Sequence, residues 1–528
     1  MILCKLQRKM SVLLLAAGML LGVASPGQAI DFKAQGEWIV GFGLGDGYLV
    51  RKENGNRTNA DDKFNAAQRV RLQLDAVASE NLSGTLAIEI GDQKWGSADD
   101  GAALGSDGMQ VKVKHAYFDW AVPGTDLRFR MGLQGVALPN AAGAAAIMDA
   151  DVAGVVANYK FNDNVGLSAF WMRPANDNFA GENESGNRGR AGYLDNIDFF
   201  GVSVPLTFDG TEITPWAMYG IMGKNALEGY DGNDLVRKKW AARDDDDKWG
   251  TEDGMLAHTL LGWHPNMNVA SDGNVRKSRS ACTSMFFAGL PVALAMFDPL
   301  HIEFDFNYGY VGGIGSYDVM RRGRENDLKK ADTLRSGWLV KALVEYRFDW
   351  GVPGVFGWYA SGDDGNPGNG SERMPSIAGC GKFTSFIGEG NGDFAVKDNW
   401  MDNSMSYAGT WGVGLQVRDL SFVEDLSHTL RVAYWGGTNS TGMVKYFDKK
   451  SGWNDGYGAD GPYLTTNDGL LECNLVNEYK IYENLTANLE LGYIVNMVDK
   501  NTWDRKWMET STQRQDAWKA QLLFAYSF

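Results

Sequence analysis

The last eleven residues read WKAQLLFAYSF, Trp518 to Phe528, and their alternation decides how the rest of the sequence is read. Successive side chains of an extended strand point to opposite faces, so Trp518, Ala520, Leu522, Phe524, Tyr526 and Phe528 share one face, and Lys519, Gln521, Leu523, Ala525 and Ser527 share the other. One face is apolar along its whole length. A single strand of this kind would also fit the edge of a water-soluble sheet, so the weight falls on its recurrence.

It recurs in segments of about the 9 to 11 residues that a tilted membrane strand requires. Val70, Leu72, Leu74 and Ala76 alternate with Arg69, Arg71, Gln73 and Asp75; Leu300, Ile302, Phe304, Phe306 and Tyr308 alternate with His301, Glu303, Asp305 and Asn307. Trp338 to Phe348 and Leu485 to Val495 behave alike. A β-sandwich also hides one face, but its strands run shorter and rarely carry Arg, Glu, Asp and Lys on the other face so often. Lipid outside and water inside demand this pattern.

Composition agrees. The 528 residues include 66 glycines and 12% aromatics, with 22% charged residues and a formal net charge of -16, which suits an ordered β-rich protein. Residues 1–29 read as a secretory signal peptide: Lys5, Arg8 and Lys9, then the apolar run Ser11 to Ala24, then small residues up to Ala29. Removing it leaves 47 basic against 66 acidic residues, a net charge of -19, which excludes a nucleic-acid partner. Beyond it the richest uncharged apolar run, LPVALAMF, Leu290 to Phe297, falls far short of the ~20 residues of a membrane helix. The exported chain keeps Cys282, Cys380 and Cys473, without CxxC spacing; one disulfide with a spare thiol and three free thiols both fit.

Tight polar turns, such as Ser79-Glu80-Asn81, Asn162-Asp163-Asn164 and Glu483-Asn484, alternate with long segments such as Gly223 to Ser284, Gly362 to Met405 and Gly436 to Gly469. Short turns at one end and long loops at the other mark a transmembrane antiparallel β-barrel, and the class is all-β. Residues 30–528 form one barrel domain of about 18 strands, from Phe32–Gly43 to Gln515–Phe528; the weakest, Met285 to Phe297, is interrupted by Pro291, and dropping it with a neighbour gives 16. Either number leaves an aqueous channel. A near-repeat, FDWAVPG at Phe118 to Gly124 and FDWGVPG at Phe348 to Gly354, reads as one turn used twice.

The alternate Leu522, Phe524, Tyr526 and Phe528 resemble the β-signal by which bacterial outer-membrane proteins are recognised for insertion, which implies the barrel-assembly machinery as a partner. The start IDFKAQGEWIVGF, Ile30 to Phe42, the segment MGLQGVALPN, Met131 to Asn140, and the size resemble the homotrimeric porins of sulfate-reducing bacteria. That resemblance implies the outer membrane of a Gram-negative cell, contact with lipid and lipopolysaccharide, a homotrimer, and passive diffusion of small hydrophilic solutes and ions. It implies no cofactor and no resident metal.

General porins fold their third long loop inward, acidic residues facing a basic wall. Here that loop is GVALPNAAGAAAIMDA, about 135–150, with Asp149 and Asp151 at its end; packing at a subunit interface is its other reading. The basic candidates for the wall, each in lumen-facing phase and near mid-height, are Arg69 and Arg71, Lys112 and Lys114, and Arg128 and Arg130. A positive wall opposite a negative loop sets a transverse field across a narrow wet gap. The acidic loops ARDDDDKWGTEDG, Ala242 to Gly254, and SGDDGNPGNG, Ser361 to Gly370, read as solvated surface, with bound divalent cations as the alternative.

Two further functions fit the barrel. A maltoporin-like, substrate-specific channel would line its lumen with aromatics, for which Phe170, Phe199 and Trp216 are candidates. A barrel enzyme would need a histidine with a nucleophile, and the five histidines, His115, His258, His264, His301 and His428, show no such grouping; no catalytic residue is expected.

Overall fold

The computed structural model describes residues 30–46, 49, 63–98, 101–105, 111–176, 196–224, 226, 259–262, 264, 267–270, 276–378, 383, 406–447, 462–503 and 514–528. The expected leader, the loop 242–254, His258 and Cys380 lie outside the described residues.

Eighteen antiparallel strands close on themselves. In chain order they are β1 Asp31–Asp46, β2 Lys63–Ser79, β3 Leu82–Lys94, β4 Lys112–Ala121, β5 Leu127–Ala137, β6 Asp149–Lys160 and β7 Gly166–Asn176. Two broken strands follow, β8 (Asn196–Ser203 with Leu206–Phe208) and β9 (Thr211–Ile213 with Trp216–Gly223). Then come β10 Cys282–Phe297, β11 Leu300–Val311, β12 Arg335–Tyr346, β13 Val352–Ala360, β14 Thr410–Val423, β15 Leu426–Gly437, β16 Gly469–Tyr482, β17 Leu485–Asn496 and β18 Ala517–Ser527.

Closure runs through the segment the sequence ends on: β18 pairs with β1 from Glu37 opposite Ser527 to Asp46 opposite Trp518. Beyond it, Gly36 N donates to Phe528 O at 2.8 Å and Phe528 N to Gly36 O at 3.0 Å. Gly36 is required there, because a Cβ would stand 2.5 Å from Phe528 Cζ. Among the described residues every barrel strand is paired on both sides, as a hydrocarbon surround demands. The faces fall as their alternation dictates: Lys519 and Gln521 are buried inside, while Tyr526 and Phe528 are exposed outside.

Pro291 does not interrupt β10, which runs through it. It lies beside the breaks of β8 and β9, where Gly166 N donates to Pro205 O, Val204 N to Pro215 O and Thr214 N to Pro291 O. A proline cannot donate to a ladder, so prolines set side by side at one level confine the loss to one seam.

Aromatic residues ring the outer surface at two heights. Near the short-turn end lie the stacked pairs Trp120–Phe129, Phe348–Trp350 and Tyr526–Phe528; near the long-loop end lie Trp338–Tyr359, Trp411–Tyr434 and Phe42–Trp95. Trp338 to Phe348 covers ten residue steps, ~33 Å of strand and ~25 Å of height at a tilt of ~40°, which matches the apolar band of an outer-membrane barrel. The two FDW(A/G)VPG segments do not share one turn. Phe118–Ala121 end β4 and the turn follows, whereas Phe348–Gly351 are themselves a turn, closed by Phe348 N on Gly351 O at 3.0 Å, and Val352 opens β13. They share only the aromatic rim.

At the long-loop end the connections fold into a cap with its own apolar core, including Leu260, Leu261, Phe447, Tyr463, Leu464 and Trp503. A three-stranded sheet, Arg276–Lys277, Gly315–Arg321 and Arg324–Asp332, belongs to this cap. Tyr317 is buried in it, its hydroxyl donating to Gly262 O at 3.0 Å. Burial and the nearby Asp363 and Asp332 carboxylates push its pKa well up.

Candidate functional site

The segment between β5 and β6, LPNAAGAAAIM, crosses the lumen to the opposite wall. Asp305 on β11 accepts from Ala141 N at 3.1 Å and Ala142 N at 2.5 Å. Lys341 on the neighbouring β12 donates to Asn140 Oδ1 at 2.7 Å and Ala144 O at 2.6 Å, with Asp305 at 3.8 Å. Trp216 on β9 donates its indole N–H to Pro139 O at 3.1 Å. The alanines matter because only a chain without long side chains brings its backbone N–H and C=O groups this close to buried charges. Both are fully buried, so the loop's backbone dipoles supply the solvation that water no longer gives them.

Around this crossing the interior divides in two. Along β12 to β18 the inward charged side chains Lys341, Glu345, Arg431, Glu472 and Glu490 are buried, whereas Arg418 keeps about a third of its surface exposed. Glu345 is held by Arg418 at 2.7 and 2.8 Å and by Gln416 at 2.7 Å; Arg431 donates to Gln416 Oε1 at 3.0 Å; Trp435 donates to Glu472 at 3.1 Å. Along β2 to β6 the interior stays open. Arg71 pairs with Glu89 at 2.7 Å; Arg130 makes a two-point contact with Asp119 at 2.8 and 2.9 Å and lies 4.2 Å over the Tyr117 ring. Arg71, Arg130 and Asp119 keep a third or more of their side-chain surface exposed, Arg130 41%, while Glu89 is mostly covered. A cavity of about 560 Å³ runs from Glu80 and Asn81 at the short-turn end past Asp119, Arg128, Arg130 and Asn158 to Gln134 and Val136 beside the loop.

The register locates each sequence candidate. Arg69 and Arg71 face inward near the middle of β2, opposite Ile39 and Glu37 of β1. Arg128 and Arg130 face inward but near the short-turn end of β5, and Lys112 stands opposite Glu89 at the long-loop end of β4, so the basic residues form a slanting track, not a mid-height ring. Lys114 departs from the expected phase. The β3–β4 register slips between Ala87 and Ile88, and the extra residue turns Lys114 and His115 together onto Asp151, at 2.6 and 2.8 Å. Asp149 and Asp151 lie opposite Ala137 and Gly135, in phase with the outward Val155 and Tyr159. They therefore sit on the outer face at the long-loop rim and not against the basic wall. The wall's carboxylates are instead its own Glu89 and Asp119, with Asp305 across the lumen. Asp305 was legible as lumen-facing; its role on the loop was not.

Phe170, Phe199 and Trp216 do point inward, but under the crossing loop. Phe199 is fully buried against Phe287 and lines no passage. His301 meets Glu303 at 2.9 Å, His428 meets Asn477 at 2.7 Å, and His264 lies buried between Phe447 and Tyr463. Among the described residues no group of three or more His, Cys, Asp or Glu is placed to hold a metal, and Cys282 and Cys473 are free thiols. In the 361–370 loop the carboxylates fold the loop itself: Asp363 accepts from Ser371 Oγ and the Tyr463 hydroxyl, both at 2.6 Å.

A closed barrel with a lipid-matched outer band, two aromatic girdles and a charged, partly open interior is an outer-membrane β-barrel. No protein-family model and no curated protein matches the sequence. Among solved structures the chain is similar to Pseudomonas aeruginosa OccK2 (OpdF), determined in complex with glucuronate, with a TM-score of 0.48 and 10% identity over 94% of this chain and 98% of that one. It is also similar to Pseudomonas aeruginosa OprD (TM-score 0.45, 10% identity, 94% and 95% covered) and Acinetobacter baumannii OccAB3 (0.46, 10%, 94% and 99%).

Proposed function

We propose that this protein forms a water-filled channel through which small hydrophilic solutes and ions diffuse passively across the outer membrane. One observation carries the reading: an uncharged loop crosses the lumen and is fixed to Asp305 and Lys341, confining water to the charged track along β2 to β6. There Arg71 and Arg130 pair with carboxylates at fixed distances while Arg128 stays exposed, so a solute meets ordered charge where the passage is narrow. No bond is made or broken in this function.

Passage of this kind is selective by charge as well as by size, and the filled half of the interior favours a solute-preferring channel as the second reading. Its preference would come from arginine and carboxylate, since Phe170, Phe199 and Trp216 are packed beneath the loop and Tyr117 lies under Arg130. We extend the proposal to self-association as a trimer, on the expected likeness of Ile30 to Phe42 and Met131 to Asn140 to homotrimeric porins, and to recognition by the barrel-assembly machinery, on the alternating aromatic tail. Single-channel recording in planar bilayers tests the proposal. Ohmic conductance with a defined reversal potential in a salt gradient is expected, block by a saturating solute would favour the second reading, and no conductance from folded protein would overturn both.

A further inference from the structure

The crossing loop does not lie alone on the opposite wall. The segment 371–378, from the connection between β13 and β14, runs beside it inside the barrel. Ile377 N donates to Ile147 O at 2.8 Å, Ala378 N to the same carbonyl at 3.1 Å, and Asp149 N to Ala378 O at 2.8 Å. Met148 and Ala378 thus form a parallel bridge between two loops whose origins lie more than 200 positions apart in sequence.

The wall is shaped to receive that segment. Gly309 of β11 and Gly337 of β12 are directly paired across the ladder. A Cβ at Gly309 would stand 2.6 Å from Pro375 Cγ, and one at Gly337 would stand 2.6 Å from both Glu372 O and Met374 N. Two adjacent positions without side chains make a flat seat, on which the Pro375 ring rests over Gly309 and the backbone of Glu372 and Met374 rests on Gly337. Arg335, at the end of β12 and buried, fastens the segment: its Nε donates to Arg373 O at 3.1 Å and its Nη2 to Met374 O at 2.9 Å. Next to it, Ser336 N donates to Ser371 O and Ser371 N to Leu334 O, both at 2.9 Å. An arginine saturating main-chain carbonyls binds a path of chain more rigidly than any pair of flexible side chains, because its donors are fixed in one plane.

We propose that the narrowest part of the passage is a two-loop structure in which segment 371–378, seated on Gly309 and Gly337 and fastened by Arg335, positions the crossing loop and thereby sets the size limit of the channel. This rests on the channel reading above. Arg335 is a positioning residue: it touches no solute and acts through the segment it holds.

Two measurements test it, one of geometry and one of transport. In a chain whose native cysteines are replaced by serine, Met148→Cys with Ala378→Cys should form a disulfide on mild oxidation of the folded barrel. Separately, Gly337→Val and Arg335→Met, each verified as folded by heat-modifiable gel mobility, should show raised single-channel conductance and loss of the wild-type cut-off in liposome swelling with sugars of increasing size. Arg335→Lys, which keeps charge but not the planar fork, should fall between. Folded Gly337→Val with an unchanged cut-off, or absence of the disulfide, would overturn the inference. A wild-type barrel that conducts nothing while the disulfide still forms would sink the channel reading and leave the loop pairing standing.

Discussion

Lys341→Met tests what holds the crossing loop. The lysine is fully buried and donates to Asn140 Oδ1 at 2.7 Å and Ala144 O at 2.6 Å, with the Asp305 carboxylate at 3.8 Å. Methionine keeps most of the volume and removes the charge. Two hydrogen bonds to a charged donor, at ~1.5–3 kcal/mol each, are lost, and Asp305 keeps only the Ala141 and Ala142 amides in a site without water. Removing one partner of a buried pair costs ~3–5 kcal/mol, which raises the population of the detached loop by about two to nearly four powers of ten. The barrel ladder is untouched, so the loss is local. Hydrogen exchange at Ala141 and Ala142 reads that opening directly, and open-channel noise in single-channel records should rise with it. Adding Asp305→Asn should recover part of the loss, because the double change leaves no uncompensated charge. Wild-type exchange rates at both alanines, with unchanged noise, would refute the claim that this pair holds the loop.

Other predictions concern separate parts of the molecule. Deleting Phe528 removes both backbone bonds to Gly36 and the ring that covers it; the folded fraction in outer membranes should fall before any change in conductance of the remaining barrels, and a normal folded yield would count against this. Replacing Arg128 and Arg130 together by glutamine leaves Asp119 uncompensated in the open track, so reversal potentials should shift toward cation preference, whereas Asp119→Asn should shift them the other way. In the cap, the Arg276 guanidinium, 2.7 Å from Asp318, holds that carboxyl below the usual carboxylate range. A depressed folded pKa means that the stabilisation is complete above the ordinary Asp pKa of ~3.9 and is lost as pH falls through the lower folded value. Both partners are partly exposed, so the effect is at most ~1 kcal/mol, seen as faster hydrogen exchange in the 315–332 hairpin only below about pH 4.

Strand alternation made the barrel legible because it is imposed residue by residue: a side chain faces lipid or it does not, and a charge misplaced toward lipid is costly across the middle of the membrane. That is why Trp338 to Tyr346 and Trp518 to Tyr526 could be phased without a structure, and why β10 survived its proline. The site was only partly legible for the opposite reason. Alternation gives phase within a strand but carries no information across a bulge, and one extra residue beside Ala87 was enough to move Lys114 to the outer rim. Height was equally hidden, since Arg128 differs from Arg71 only by how far each lies from its own turn.

Long-range loop contacts leave a different trace, visible only once two strands are aligned. Gly309 and Gly337 look unremarkable in their own strands, and each alone reads as a weak point. Their direct pairing makes them a seat, occupied by the Pro375 ring over Gly309 and by the Glu372 and Met374 backbone over Gly337. The same logic explains the run of alanines at 141–146, which reads as oddly apolar for a surface loop. It is largely buried rather than surface, and its small side chains let main-chain N–H and C=O groups serve as the ligands of Asp305 and Lys341. Both Ala141 and Ala142 donate N–H to Asp305, but only the Ala142 side chain is fully buried, so leucine at Ala142 should force the contact apart while leucine at Ala141, which is only half-buried, should disturb it less. Equal hydrogen-exchange protection of the loop in both variants would show that it is the hydrophobic surroundings, and not the backbone–carboxylate contact, that keeps it across the lumen.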